Sequence, residues 1–350
     1  MMLVDEATEE VKWEVKAHSQ SGHHFGPQVA MSPDGMFVAS GGFRDEHWRL
    51  WNVESGGSHR VGDRHGTGAC ICYLHLDQRE LQGGCPVMAH TGQGICSVEF
   101  SSCGGMLATG GFDGAVIVWD VQTRSSQQRM MDEDPKMVSA LSFSADGARL
   151  AAGDGGGSIC LWATTTGSLL FRMRAGHLGV KSLHLSPSNN NLLASVTGQD
   201  VAVWDIEKGE ESGRKLPAGG FAVFAPDGRM IATPGGIYEW DVHLFNAESG
   251  ELLLTLVGHQ NFVFSASFSG SQIASSSADG TCKVWDSSTG ALLRTIVVGK
   301  PVFSVASGRD WVRDTQRAMA FAMGHHPRLG AGSQVLELDW GVVRMILDRV

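Results

Sequence analysis

Apolar and polar positions alternate along this chain in short runs of about four to seven residues, cut by polar turns. The clearest stretch lies between Val263 and Val297. An apolar run over 263–268 is followed by Ser269-Gly270-Ser271, a second run over 272–276, and the turn Ala278-Asp279-Gly280. A third run covers 281–285, Asp286-Ser287-Ser288-Thr289-Gly290 follows, and a fourth run covers 291–297. Alternation with a period of two, bounded by Gly, Asp and Ser, predicts strands joined by tight turns. Four in succession predict a small antiparallel meander.

The same order recurs upstream. One copy holds runs at 95–100, 106–109 and 116–119, with Asp113-Gly114 before the third and Asp120 after it. Another holds 141–143, the turn Ser144-Ala145-Asp146-Gly147, 149–152 and 159–162. The aromatic that ends the third run falls at Trp51, Trp119, Trp162, Trp204, Phe245 and Trp285, with spacings of 68, 43, 42, 41 and 40. The long spacing is one period plus an insertion within about 54–88. A seventh, weaker copy follows at 302–306, 317–322, 334–338 and 342–347. A single four-stranded sheet cannot bury both faces, so such units must stack, and radial closure removes the exposed edges. The expected architecture is all-β: a closed, seven-bladed propeller of four-stranded antiparallel blades. It forms one domain over residues 11–350, with residues 1–10 as an N-terminal tail. Of the two terminal runs that could complete the last blade, 11–17 and 342–347, the first is favoured.

Composition agrees with short strands and many turns. Gly is 46 of 350 residues, hydrophobic residues are 42% and charged residues only 18%. A long coiled coil needs far more charge, and a disordered chain far less apolar material. The net charge is −10, which disfavours a nucleic-acid surface, since that shows as a basic excess. Seven scattered cysteines do not suggest a disulfide framework. The first residues turn acidic at once, without the basic and apolar regions of a secretory leader, and no run approaches 18 apolar residues. The expected setting is cytoplasmic and/or nuclear.

Several motifs resemble the WD-repeat β-propeller family. They are Trp119-Asp120, Trp204-Asp205 and Trp285-Asp286, with Gly176-His177 and Gly258-His259 ahead of their blades. The turns Ser32-Pro33-Asp34-Gly35 and Ala225-Pro226-Asp227-Gly228 match as well. The resemblance covers residues 11–347. Trp51-Asn52, Trp162-Ala163 and Phe245-Asn246 depart from the dipeptide.

Two copies carry a polar set at matched spacing: His90, Thr109, Asp113 and Trp119, and His259, Ser275, Asp279 and Trp285. In a meander, the turn before strand one and the turn between strands two and three lie at the same end. His and Asp therefore converge, with the hydroxyl and the indole N–H between them. The resemblance implies a buried hydrogen-bonded chain. His177, Ser195 and Trp204 form a third, incomplete set, one residue short between strands two and three, and Ala152 and Gly156 mark a copy that has lost it. A hydroxyl, His and Asp together invite a hydrolase reading. A nucleophile would not recur once per blade, however, and no Gly-x-Ser-x-Gly elbow is present. No catalytic residue, cofactor or metal is expected.

The remaining candidates are contact residues. Arg44 and Trp48 sit between strands two and three of the first copy, and Trp and Arg are the residues most enriched at binding hot spots. Phe112, Lys181 and Phe262 fall near the same end. Arg309 and Arg313, with Arg317, recur every four residues in a long segment of the last copy, a spacing that gives one face on a helical turn. The insertion holds Cys70, Cys72, His75 and Cys85. Cys70-x-Cys72 lacks the paired spacing of a structural zinc site and fits an extended hairpin with reduced thiols. Asp132-Glu133-Asp134 reads as a solvated loop. The resemblance implies a non-catalytic protein–protein interaction scaffold or adaptor. Ubiquitin-ligase substrate recognition, signalling or ribonucleoprotein assembly are the roles it suggests. Its partners would be other proteins, with nucleic acid disfavoured. A propeller binding a metal or small ligand through the insertion is the alternative.

Overall fold

The computed structural model describes residues 2–4, 11–14, 28–34, 36–41, 48–52, 58–61, 90, 94–123, 125–188, 191–198, 200–217, 220–235, 239–297, 304–307 and 319–322. Among them, six four-stranded antiparallel sheets follow one another along the chain, each with its strands hydrogen-bonded in sequence order. The first is Gln28–Met31, Phe37–Gly41, Trp48–Asn52 and Ser58–Val61. The second is Ile95–Phe100, Met106–Gly111, Ala115–Asp120 and Ser126–Met131. The third is Val138–Phe143, Arg149–Asp154, Ser158–Ala163 and Leu169–Arg174. The fourth is Val180–Leu185, Leu192–Thr197, Asp200–Asp205 and Glu210–Pro217. The fifth is Val223–Phe224, Met230–Pro234, Val242–Asn246 and Leu252–Leu256. The sixth is Val263–Ser269, Gln272–Ser277, Thr281–Asp286 and Leu292–Val297. The fold is all-β and propeller-like.

The rest of the described chain forms two hairpins. Ser304–Ser307 pairs with Met319–Ala322 and lies beside strand one of both the sixth and the first sheets. Met2–Val4 pairs with Val11–Glu14. This corrects the expected tail over residues 1–10: the apolar Met2-Leu3-Val4 can pair with the alternating Val11-Lys12-Trp13-Glu14 and does so, with Leu3 opposite Trp13. Met2–Val4 lies against Met319–Ala322. The first sheet takes its fourth strand from Ser58–Val61, so the extra residues placed at 54–88 begin after Val61. The expected strand at 342–347 lies outside the described residues.

Burial follows position within each sheet. Strands two and three are buried on both faces, as in Ala115–Asp120, where only Asp120 is partly exposed. Strand four is half exposed, as in Leu169–Arg174, where only Met173 is buried. The inner strands are therefore rich in apolar and small residues, whereas the outer strands mix Arg, Gln and Thr with leucines.

The periodic aromatic occupies the next-to-last position of strand three in all six sheets and pairs with an aliphatic residue of strand two. Trp119 faces Leu107, Trp162 faces Leu150, Trp204 faces Leu193 and Trp285 faces Ile273. Where the side chains are described, each ring is seated on the preceding sheet. Trp119 packs with Ala39 and Leu50, Trp162 with Val116, Val118 and Met130, and Trp285 with Ala232, Leu244 and Leu256. Trp119 is fully buried and Trp285 is 1% exposed. Truncating such a ring costs about 3–5 kcal/mol.

Approach on the other face is set by small residues. A Cβ on Gly110 would stand 2.5 Å from Val138, and one on Gly153 would stand 2.5 Å from Val180, each valine opening strand one of the next sheet. Gly153→Val therefore overpacks a sheet-to-sheet contact. It is expected to lower stability by about 1–3 kcal/mol, measurable as a fall in Tm; an unchanged Tm would mean that the sheets are not held this close.

Candidate functional site

The turn between strands two and three fixes the aspartate of each full polar set. In the second sheet, Asp113 accepts a hydrogen bond from the backbone N–H of Ala115 at 3.1 Å, and Gly114 takes φ +75°. In the sixth, Asp279 accepts from the N–H of Thr281 at 2.8 Å, and Gly280 takes φ +77°. An Asp-Gly pair suits this turn because the carboxylate caps the following N–H and glycine adopts the left-handed conformation without a Cβ clash. The carboxylate is thereby aimed at the segment entering strand one, where the histidine sits.

The chain that results is nearly identical in the two sheets. His90 Nδ1 lies 2.9 Å from Asp113 Oδ1, and His90 Nε2 lies 2.8 Å from Thr109 Oγ1. Trp119 Nε1–H donates to the same Oγ1 at 2.9 Å. In the sixth sheet, His259 Nδ1 is 2.8 Å from Asp279 Oδ2, His259 Nε2 is 2.8 Å from Ser275 Oγ, and Trp285 Nε1–H donates to that oxygen at 2.9 Å. With Nδ1–H directed at the carboxylate, Nε2 accepts the hydroxyl proton and the hydroxyl oxygen accepts the indole proton, so each group is used once. His90, Thr109, His259 and Ser275 are all buried. The second oxygen of Asp113 also receives Arg129 at 3.1 Å. Burial alone would push the Asp279 carboxyl up. Hydrogen bonds from His259, the Gln260 N–H and Thr281 outweigh it and hold the group far below the usual carboxylate range. The hydroxyl is enclosed by the indole and the imidazole, so the arrangement is a structural brace and presents no nucleophile to a substrate.

The incomplete set is corrected by the structure. Trp204 Nε1–H donates to Ser195 Oγ at 2.7 Å, but His177 is exposed and makes no hydrogen bond to Ser195 among the described residues. The turn explains it. Strands two and three are joined through Gly198 and one further residue, so Asp200 already pairs with Thr197 inside the strand and is exposed. The shortened turn has removed the position from which a carboxylate would hold the histidine.

The residue after the aromatic has its own task, which sequence reasoning did not assign. Asp120, Asp205 and Asp286 accept backbone N–H groups of the turn into strand four, as in Thr289 to Asp286 at 2.9 Å. Asn246 does the same for Glu248 and Ser249, each at 2.8 Å, so the departure Phe245-Asn246 preserves the turn. Hydrogen bonds from Ser288 and Thr289 pull the Asp286 carboxyl down to about 2. Asp132 is likewise no free loop carboxylate: it ion-pairs with Arg172 on strand four of the third sheet.

The contact candidates fall into two groups. Phe112 lies in the turn between strands two and three of the second sheet, partly buried. Phe262 precedes strand one of the sixth sheet and is 39% exposed. Lys181 is exposed, and its ammonium donates to the carbonyl of Gly198 at 2.6 Å. Trp48, placed in a loop by the sequence reading, opens strand three of the first sheet opposite Gly41. Arg44, Arg309 and Arg313 lie outside the described residues, as do Cys70, Cys72, His75 and Cys85. Among the described residues, no group of three His, Cys, Asp or Glu side chains could hold a metal ion, and no helix is long and apolar enough to cross a membrane. The sequence reading missed Leu178, Trp240 and Val257. They stand 63%, 42% and 68% exposed in loops at the same end of their sheets as Phe262.

Comparison with known proteins agrees with this geometry. The family described as WD domain, G-beta repeat matches residues 15–52, 84–120, 126–163 and 250–286. A WD repeat-containing protein 26 homolog of Arabidopsis thaliana is 24% identical over 78% of this chain and 44% of its own length. A WD repeat-containing protein 75 of Danio rerio is 34% identical over 24% of this chain and 10% of its own length. A guanine nucleotide-binding protein subunit beta of Nicotiana tabacum is 29% identical over 37% of each chain. The chain thus spans from a tenth to under half of the length of these relatives. Among solved structures, a chain in the crystal structure of a mitotic checkpoint complex superposes with a TM-score of 0.63, at 18% identity, over 84% of this chain and 86% of that one. Repeated four-stranded sheets, an aromatic seated on the preceding sheet and a buried polar brace define a protein of the propeller class. Within that class, the chain carries WD40 repeats and is distantly related to other WD-repeat proteins and to G-protein β subunits.

Two outcomes test the brace. Asp279→Ala leaves the His259, Gln260 and Thr281 donors without their acceptor and is expected to cost about 1–3 kcal/mol. His177→Ala, at an exposed site, should leave Tm unchanged, and equal losses in the two variants would contradict the assignment. The Asp279 carboxyl titrates lower in the folded chain than in the unfolded one, where its pKa is about 3.9. Its contribution is therefore complete above that value and is lost as pH falls below it. Between pH 6 and pH 3, Tm of the wild type should fall more than that of Asp279→Asn; parallel curves would contradict it.

Proposed function

We propose that this protein is a non-catalytic scaffold that binds other proteins on the end of its sheets carrying the loops before strand one and between strands two and three. WD40 proteins are typically interaction scaffolds, and the buried braces offer no group to a substrate. The observation that carries the reading is the set of exposed apolar side chains at this end: Leu178, Trp240, Val257 and Phe262, drawn from the loops of three successive sheets. Scattered apolar residues are ordinary on a surface, but exposed Trp and Phe on the loops of a rigid frame are the usual anchors of protein contacts. Lys181, exposed near the same end, adds a positive charge there. The free thiols Cys96, Cys160 and Cys282, all buried, support a reducing setting, in the cytoplasm and/or the nucleus.

The test is affinity capture from the native cell with the wild type and with Trp240→Ala/Phe262→Ala. The double variant should lose at least one stoichiometric partner, with Tm within about 2 °C of the wild type. Unchanged capture would place binding elsewhere, and a large fall in Tm would make these side chains structural.

A further inference from the structure

The third sheet keeps its tryptophan but not the tryptophan's partners. Trp162 is 6% exposed, and its indole Nε1 is buried with no hydrogen-bond partner among the described residues. The cause is legible in the register. Ala152 stands opposite Cys160, the place that Thr109 holds opposite Ile117 and Ser275 holds opposite Lys283. Four residues further on, where those sheets carry Asp113 and Asp279, this sheet has Gly156. The hydroxyl and the carboxylate are both missing, while the donor that they would serve remains.

The space is not filled by other side chains. A cleft of about 20 Å3 lies between the second and third sheets, on the face of the third sheet that carries Trp162 and Ala152. Val138 and Cys160 line it as well, and Asp132 and Asp154 bring carboxylates to its wall. A volume of this size admits a single water, since a water needs about 10–15 Å3 by the same measure and two to four polar partners. A donor and several acceptors line this cleft. Asp154 is fixed by the N–H groups of Gly156 and Ser158, each at 2.8 Å from its Oδ1. Burial, with the charge of Asp132, pushes the Cys160 thiol up to about 12, so it stays protonated and can donate or accept.

We propose that this cleft is a water site built into the blade interface. One ordered water accepts the Trp162 Nε1–H bond and donates to the acceptors of the wall, standing where a Thr or Ser hydroxyl stands in the second and sixth sheets. A buried indole N–H without an acceptor is costly, and a water in a recess that carboxylates border removes that cost. The same recess lined only by apolar groups would stay dry.

A high-resolution crystal structure of the full chain tests this directly. The expected result is an ordered water within about 3.2 Å of Trp162 Nε1. In Ala152→Thr, the hydroxyl should take over the indole bond, the water should be lost, and Tm should rise by about 1–3 °C. If the threonine is too bulky to fold, Ala152→Ser tests the same exchange with less volume. A dry Nε1 in the wild type, an indole bonded to a protein acceptor, or density too large for water would each overturn the proposal. So would a water that persists unchanged beside Nε1 in the variant.

Discussion

The architecture rests on one repeated contact, an aromatic ring near the end of strand three pressed onto the preceding sheet. A four-stranded sheet of about 40 residues has too little apolar surface to fold alone. The ring makes neighbouring sheets mutually dependent, because its faces are buried by the sheet before while its edge belongs to its own. Tryptophan suits the position by size but brings an N–H that must be satisfied in the dry interior. The buried polar chain follows from that requirement. A hydroxyl on strand two takes the N–H, a histidine takes the hydroxyl proton, and the Asp-Gly turn holds the histidine.

Five of the sheets show what happens as this brace is dismantled. The second and sixth carry it whole, through Asp113 and Asp279. The fourth keeps the hydroxyl of Ser195 but loses the histidine, because a turn one residue shorter leaves Asp200 in the strand. The third loses both hydroxyl and carboxylate yet retains Trp162. The fifth substitutes Phe245 and so removes the donor itself. The sheets persist through all of these states because ring burial, common to all, outweighs a single hydrogen bond of about 0.5–1.5 kcal/mol. Stability distributed in this way leaves the loops at one end free to vary, and Leu178, Trp240, Val257 and Phe262 stand exposed there.

Much of this was legible in the residues themselves. Strand boundaries in the sixth sheet agree with the alternation to within one or two residues, since Gly270, Gly280 and Gly290 all take left-handed turns there. The convergence of His90 with Asp113, and of His259 with Asp279, follows from meander topology and matched spacing. Other features were not legible. Asp132 looked like one of three solvated acids, and only the packing of two outer strands brings it to Arg172. The dipeptide aspartates carry no mark of their role as turn caps until the turn is built. Leu178, Trp240 and Val257 fall at no repeat position, so periodicity could not single them out.

What the sequence by itself determined is the unit: a period near 41 residues, four strands, and an aromatic, a hydroxyl, a histidine and an aspartate whose spacing brings them together. These are properties of local geometry, and alternation and turn chemistry encode them within a few residues. Only the tertiary structure decided which copies complete the scheme, because a hydrogen bond of 2.8 Å depends on turn length and on the depth of the neighbouring sheet. It likewise decided which leucines and aromatics are covered and which face solvent, since burial is a property of two sheets together and is written in neither one alone.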